Sequence, residues 1–233
     1  MKTLYIKSTS ILTLTILMVL ATFMACNNDE SCGYTQCTES CNSYEDFEER
    51  ELGTAGNWIG VLTSALEYRT RNGSQVLYVR DGSGGTLAYN PVDFPDNLIT
   101  QGCALRFDIE YQAGSNNNLT TNNGIGIYSD TNPTNAAFRA YFTLNASNLI
   151  TSRNPPTTIE VPLELASGTS LPSNNFGSWI ITPSTSPSAD VTNFNALIQN
   201  IEGIYFSIDE GGNPAEQWWF DNFCFKQCCP LKF

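Results

Sequence analysis

Hydrophobic and polar residues alternate along most of the chain in short runs. In the clearest run, residues 103–111, apolar odd positions alternate with Arg106, Asp108 and Glu110. A period of two residues is typical of a β-strand with one buried face. Similar runs cover 75–80, 125–127, 138–144, 159–165, 179–181, 201–209 and 218–225. The pattern therefore predicts about ten short strands.

One segment has helical spacing instead, and Asp190 or Thr192 is its candidate N-cap. Its apolar positions are Phe194, Leu197, Ile198 and Ile201. Pro162 places the strand of residues 159–165 at a sheet edge or on a bulge, because proline cannot donate a ladder hydrogen bond. With no internal repeat, the sequence predicts an all-β fold: a two-sheet antiparallel jelly-roll β-sandwich with one short helix.

The last strand, residues 218–225, is very rich in aromatic side chains. Strict alternation places Asp221 with the inward residues Phe223 and Phe225, and it places Trp218 and Phe220 on the opposite face. Exposed aromatic rings stack on sugars, so Trp218, Phe220 and the outward Tyr141 are the predicted ligand-binding residues. The alternative is burial under a loop. Trp58 and Trp179 are predicted core residues.

A carboxylate within an aromatic strand must be hydrogen-bonded or hold an ion. Glu45, Asp46 and Glu48 lie near the other end of the predicted domain, and with Asp221 they form a set of oxygen ligands that suits Ca²⁺. We therefore predict a possible structural calcium. In the alternative, Asp221 or Asn222 accepts backbone N–H bonds and caps a loop.

Composition narrows the choice of function. The formal net charge is −12, which disfavours nucleic-acid partners and anionic membranes. The absence of histidine removes the commonest general base and the protease triads. The nearest match to a glycosidase carboxylate pair is Asp108 with Glu110, which alternation assigns to a polar outer face. We therefore expect a non-catalytic protein.

The N-terminus has the features of an export signal. Lys2 and Lys7 precede an apolar run that ends in Ala25-Cys26. This end resembles a bacterial lipobox, although Phe23 stands where leucine is usual, and the resemblance implies that Cys26 is lipidated. Ordinary cleavage to a soluble exported protein is the alternative. The acidic residues after Cys26 resemble a signal for display on the outer membrane, with the lipid as the only membrane contact. A solvated linker would have the same composition.

These features predict a signal peptide at 1–25, a cysteine-containing tether at 26–43 and a sandwich domain at 44–233. Exported proteins form disulfides, and cysteines cluster before and at the end of the predicted domain. If the clusters meet, disulfides join the tether to the last strand in a pairing that the sequence leaves open. A four-cysteine zinc site is the alternative. Cys103 has inward parity and is predicted to be a small apolar residue. The disulfide candidates are Cys32, Cys37, Cys41, Cys224, Cys228 and Cys229.

Two family resemblances support the sandwich. Residues 77–85, 94–96, 105–108, 159–165, 194–197, 201–208 and 221–223 resemble successive parts of a laminin IV domain. Phe47-Glu48 before a tryptophan, with a closing Trp-x-x-Asp-Asn, resembles jelly-roll carbohydrate-binding modules. In those modules the two ends meet, often around a structural calcium, and neither family is catalytic.

The resulting hypothesis is a non-catalytic cell-surface lipoprotein that binds a glycan or glycoprotein surface in adhesion or nutrient capture. A structural or assembly component of the cell envelope, which binds a protein partner through an apolar patch, is the alternative. A diverged glycan-active enzyme is a third possibility and would require two facing carboxylates.

Overall fold

Two antiparallel sheets face each other in the computed structural model, which describes residues 40–82, 84–112, 125–150, 156–208 and 216–227. Cys26, Cys32, Cys37, Cys228 and Cys229 lie outside these residues. The strands are β1 (Ser40–Glu45), β2 (Ile59–Val61), β3 (Thr63–Arg71), β4 (Ser74–Asp81), β5 (Leu87–Asn90), β6 (Ala104–Gln112), β7 (Ile125–Tyr128), β8 (Arg139–Leu144), β9 (Thr157–Pro162), β10 (Gly177–Thr182), β11 (Gly203–Ser207) and β12 (Gln217–Gln227).

Sheet I has the order β3-β4-β12-β6-β9, with β1 also paired to β12. Sheet II has the order β10-β8-β7-β11-β5-β2. Many hydrogen-bonded strands are distant in sequence, so long connections as well as hairpins link the strands of the two sheets. This architecture confirms the predicted β-sandwich. β1 covers residues that the sequence analysis assigned to the tether, and β2 and β3 lack a clear alternating pattern.

The core lies between the sheets and is largely aromatic. Phe206 of sheet II stacks on Phe220 of sheet I at 4.0 Å between ring centroids and contacts Phe107 edge-on at 5.6 Å. Each of these rings is at most 1% exposed. Burial of one such side chain contributes about 1.5–3 kcal/mol, so this cluster holds the two sheets together. Trp58 and Trp179 are buried in the same core, as predicted.

The alternation of β12 changes phase at a β-bulge. Its pairing with β6 shifts register between Asp221 and Cys224, and Asn222 has a φ of 54°. The extra residue makes Trp218 and Phe220 inward as well as Phe223, and all three are at most 1% exposed. The predicted outward orientation of Trp218 and Phe220 is therefore wrong. Trp219, rather than its two neighbours, points to the outer face.

The helix and the edge strand follow the sequence pattern with one correction. Helix α1 (Pro187–Ile198) is capped by Ser186, whose hydroxyl accepts from the Ala189 N–H, rather than by Asp190 or Thr192. Pro162 ends β9, which is an edge strand as predicted. Within the described ranges, no helix combines the length and hydropathy needed to span a membrane.

The predicted link between the two cysteine clusters is present as a disulfide. Cys41 of β1 is bonded to Cys224 of β12, across 183 residues of sequence. Cys103 is also disulfide-bonded, which corrects the prediction that it serves only as a small apolar residue. The bonded pair lies beside the bulge of β12.

Candidate functional site

The bulge of β12 places an aspartate pair on the outer face of sheet I. Asp221 lies directly opposite Asp108 of β6 in the strand register. Asn222 joins them: its backbone N–H donates to Asp221 at 2.8 Å and its side-chain amide donates to Asp108 at 2.8 Å. Thr158 of β9 donates its hydroxyl to the other Asp108 oxygen at 2.6 Å. Asp221 and Asn222 therefore form a hydrogen-bonded site with Asp108 on the outer face of sheet I.

A cavity of about 120 Å³ opens beside this aspartate pair. Val76, Pro156 and Trp219 supply apolar walls, while Asp108, Glu110 and Asp221 supply carboxylates. The remaining lining residues are Arg71, Asn72, Ser74 and Asn222. A concave site with an aromatic wall and several converging polar groups is the usual form of a small-ligand site.

Arg71 connects Glu110 and Trp219 along one wall of the cavity. It leaves the end of β3 and passes β4 and β12 to reach Glu110 on β6, where its Nε donates to a carboxylate oxygen at 2.7 Å. A second guanidinium nitrogen contacts the other oxygen, which makes the pair bidentate. The guanidinium carbon also lies 3.6 Å from the centre of the Trp219 ring system. This cation–π contact fixes both side chains at the cavity wall.

Asp221 is the most perturbed acid of the site. Its pKa is raised to about 6, mainly by burial; the charges of Asp108 and Glu48 act in the same direction, and hydrogen bonds from Asn222 and Ser74 oppose the increase. The residue is 9% exposed. A buried carboxylate with only neutral donors is stable as the protonated acid at a higher pH than usual.

Asp221 therefore makes folding stability depend on pH. An unfolded aspartate has a pKa of about 3.9, so between about pH 4 and pH 6 the native state holds more protons than the unfolded state. The free energy of unfolding consequently falls as pH rises through this range. Asp221→Asn is expected to stabilise the protein at pH 7.5 by about 1–3 kcal/mol and to have little effect at pH 4. Urea unfolding at the two pH values measures the difference.

Glu49→Gln is the matched control, since Glu49 is exposed and does not line the cavity. An Asp221→Asn variant that is no more stable than the wild type at pH 7.5 would show that ionised Asp221 carries no penalty.

The four predicted calcium ligands are only partly brought together. The Ser74 hydroxyl lies 2.5 Å from a Glu48 oxygen and 3.0 Å from an Asp221 oxygen, so the two carboxylates share its single proton. Glu45 instead pairs with Arg50, and Asp46 accepts the Glu48 N–H at 3.3 Å. Among the described residues, no group of three or more acidic or cysteine side chains has the spacing of a metal site. The alternative of a backbone N–H bond to Asp221 is present, and calcium stays a prediction.

Tyr141 lies on the other outer face, that of sheet II. It points away from the core, as predicted, and contacts Tyr205 at 5.8 Å between ring centroids. Tyr205 lies over Gly126, where an added Cβ would stand 2.1 Å from the ring. Tyr205 is only 6% exposed and its pKa is raised to about 12, chiefly by burial. This tyrosine face is packed, in contrast to the cavity on sheet I.

Sequence reasoning missed most of the cavity. Strict alternation places Trp219 on the inner face with Phe223 and Phe225, whereas the bulge turns it outward, and Arg71 belongs to a strand without clear alternation. Asp108 and Glu110 were assigned correctly to an outer face, although their neighbour Asp221 was not. The available signal was the Asp221-Asn222 step itself, because asparagine adopts the positive φ that a bulge can require more readily than most residues do.

Comparison of structures finds the two kinds of domain that the sequence resembles. The L4b domain of human laminin alpha-2 has 15% identity and a TM-score of 0.43, over 73% of this chain and 97% of that domain. A family 30 carbohydrate-binding module of a Clostridium thermocellum cellulosomal cellulase has 13% identity and a TM-score of 0.38, over 81% and 96%.

A carbohydrate-binding module described for specific mannan recognition has 10% identity and a TM-score of 0.28, over 83% of this chain and all of that module. No protein-family model and no curated protein matches the sequence. These likenesses concern the fold alone.

Proposed function

We propose that this protein is a non-catalytic glycan-binding protein whose ligand enters the cavity on sheet I. The observation that carries the proposal is the combination of the Trp219 wall with converging carboxylate, amide and guanidinium groups. Sugars offer an apolar ring face and many hydroxyl groups, and such sites pair aromatic rings with planar polar side chains. The similar solved structures include modules that are described as carbohydrate-binding, which agrees with this use of the fold.

The cavity suits one terminal sugar unit rather than a long chain. Its volume of about 120 Å³ lies below the roughly 300–1,000 Å³ of pockets that hold drug-sized ligands. The indole of Trp219 is 6% exposed and Arg71 covers one of its faces, so a ligand contacts the remaining edge and the guanidinium together. Asn72 and Asn222 are exposed at the rim and have amide groups of the kind that hydrogen-bond hydroxyls.

A non-catalytic role agrees with how the acids are held. Asp108 accepts from Thr158 and Asn222, and Glu110 is engaged by Arg71. A glycosidase needs one carboxyl group that transfers a proton and a second that attacks the sugar or activates water. Asp108 and Asp221 do face each other, so release of sugar from any bound glycan would overturn the non-catalytic part of the proposal.

We also propose that the protein is displayed on the outer membrane through a lipid on Cys26. The support is the sequence alone: an apolar run that ends in Ala25-Cys26, followed by acidic residues. Mass spectrometry of the mature N-terminal peptide tests this, since an unmodified N-terminus would contradict it.

Affinity electrophoresis of the mature protein through gels with different soluble polysaccharides tests the glycan proposal. The mature chain is required because Cys41 and β1 belong to the fold. At least one polysaccharide is expected to retard the wild type, and Trp219→Ala is expected to weaken its apparent affinity about tenfold, which corresponds to about 1.4 kcal/mol. Thermal unfolding followed by circular dichroism verifies that the variant is folded.

Two further variants make the result specific. Glu49→Gln leaves the cavity intact and should migrate like the wild type. Tyr141→Ala alters only the tyrosine face of sheet II, so loss of retardation in this variant alone would move the site to that face. A folded wild type that no polysaccharide retards would favour the envelope-assembly alternative.

A further inference from the structure

The cavity on sheet I has an uneven distribution of charge. Three carboxylates line it, from Asp108, Glu110 and Asp221, together with one cation, Arg71. Arg71 is bound in bidentate fashion to Glu110 and is therefore already neutralised. The two aspartates face each other across neighbouring strands, and among the residues that the structure describes no cation lies within salt-bridge distance of either.

The donors around the two aspartates are all neutral. Asp108 receives a hydroxyl and a side-chain amide, and Asp221 receives a backbone N–H and the Ser74 hydroxyl. Glu48 shares that hydroxyl and brings a third carboxylate close to the pair. Each carboxylate oxygen can accept more than one hydrogen bond, so the pair retains capacity for further donors.

The apolar wall lies beside the acidic pair. Val76 and Trp219 are at most 6% exposed, and Pro156 completes the wall at the mouth of the cavity. A ligand that fits both parts has a compact ring or carbon body with a positive charge at one end. A bare metal ion would leave the wall unused.

From this juxtaposition we infer that the glycan unit bound in the cavity is an amino sugar with a free ammonium group, which lies between Asp108 and Asp221. The inference rests on the proposed glycan-binding function and names its ligand class. An ammonium group has three donors and no acceptor, which matches two facing carboxylates. Charge-assisted hydrogen bonds are about twice as strong as neutral ones, so this contact would set the specificity of the site.

Isothermal titration of the mature protein with glucosamine, N-acetylglucosamine and glucose, in EDTA at pH 7, tests the inference. Acetylation removes the charge and keeps the ring, so glucosamine is expected to bind at least about tenfold more tightly than either neutral sugar. The ratio of glucosamine to glucose affinity should fall towards one in Asp108→Asn and should be unchanged in Glu49→Gln.

The possible results distinguish amino-sugar specificity from the glycan binding on which it rests. Equal binding of all three sugars overturns the amino-sugar inference and leaves glycan binding in place. No binding of any sugar, together with no retardation in any polysaccharide gel, overturns both. A repeat in millimolar CaCl₂ covers the calcium prediction: calcium that binds and fully excludes glucosamine would identify a metal site and overturn the inference.

Discussion

Trp218→Ala is expected to lower the free energy of unfolding by about 3–5 kcal/mol, the usual cost of removing a buried tryptophan. Trp218 is 1% exposed, its ring centroid lies 4.4 Å from that of Tyr111, and its Nε1 donates to the Ile208 carbonyl at 3.2 Å. The truncation would leave a cavity and an unpaired buried carbonyl. Because domains are stable by about 5–15 kcal/mol, the loss is a large part of the total.

Urea unfolding of Trp218→Ala and Trp219→Ala side by side distinguishes core from site. Trp219 lies on the outer face with Tyr78 and Arg71, so its truncation should cost clearly less stability while it reduces glycan binding. If the two variants lost equal stability, or if Trp218→Ala were the less destabilised, the inward assignment of Trp218 would be wrong.

Removal of the Cys41–Cys224 disulfide is the second large effect. The bond joins residues 183 positions apart, and the chain-entropy model predicts a larger contribution for longer loops, so the double variant Cys41→Ala/Cys224→Ala should lose about 2–5 kcal/mol. The native state keeps the pairing of β1 with β12, so much of the effect comes from a less constrained unfolded chain.

Comparison of denaturant midpoints for the double variant and the oxidised wild type measures this loss. The double substitution avoids a free thiol that could exchange with the disulfide of Cys103. Ser40→Ala is a suitable control, because it changes an exposed residue of the same strand and keeps the bridge. An unchanged midpoint would show that β1 is held by its ladder alone.

The fold class could be predicted because alternation is a local property of the chain. Leu105, Phe107 and Ile109 are buried and Arg106, Asp108 and Glu110 lie on the outer face, as the period of two requires. The edge position of β9 followed from Pro162, since a missing N–H cannot serve a central strand. In β3 the polar residues form ion pairs and cation–π contacts on the outer face instead of a simple pattern, and this strand was missed.

The chemical character of the candidate site could be predicted from the sequence, but the residues that form it could not. The sequence marked the last strand as aromatic and marked Asp221 as a carboxylate that needed partners. It could not assign the outward ring, because a single extra residue reverses every side chain on one side of a bulge. Trp218 and Phe220 therefore exchange places with Trp219, and Asp221 moves from the rim to the outer face beside Asp108.

By itself, the sequence determined a two-sheet β-sandwich and, for most strands, which side chains face the core. It also determined an overall acidic chain without histidine. These properties depend on periodicity and composition, which are visible residue by residue. Only the tertiary structure decided that Arg71 reaches Glu110 and that Asp108 faces Asp221, because strand order and register bring together residues that are 39 and 113 positions apart. The site is made of such long-range pairs, so it exists only once the strands are in place.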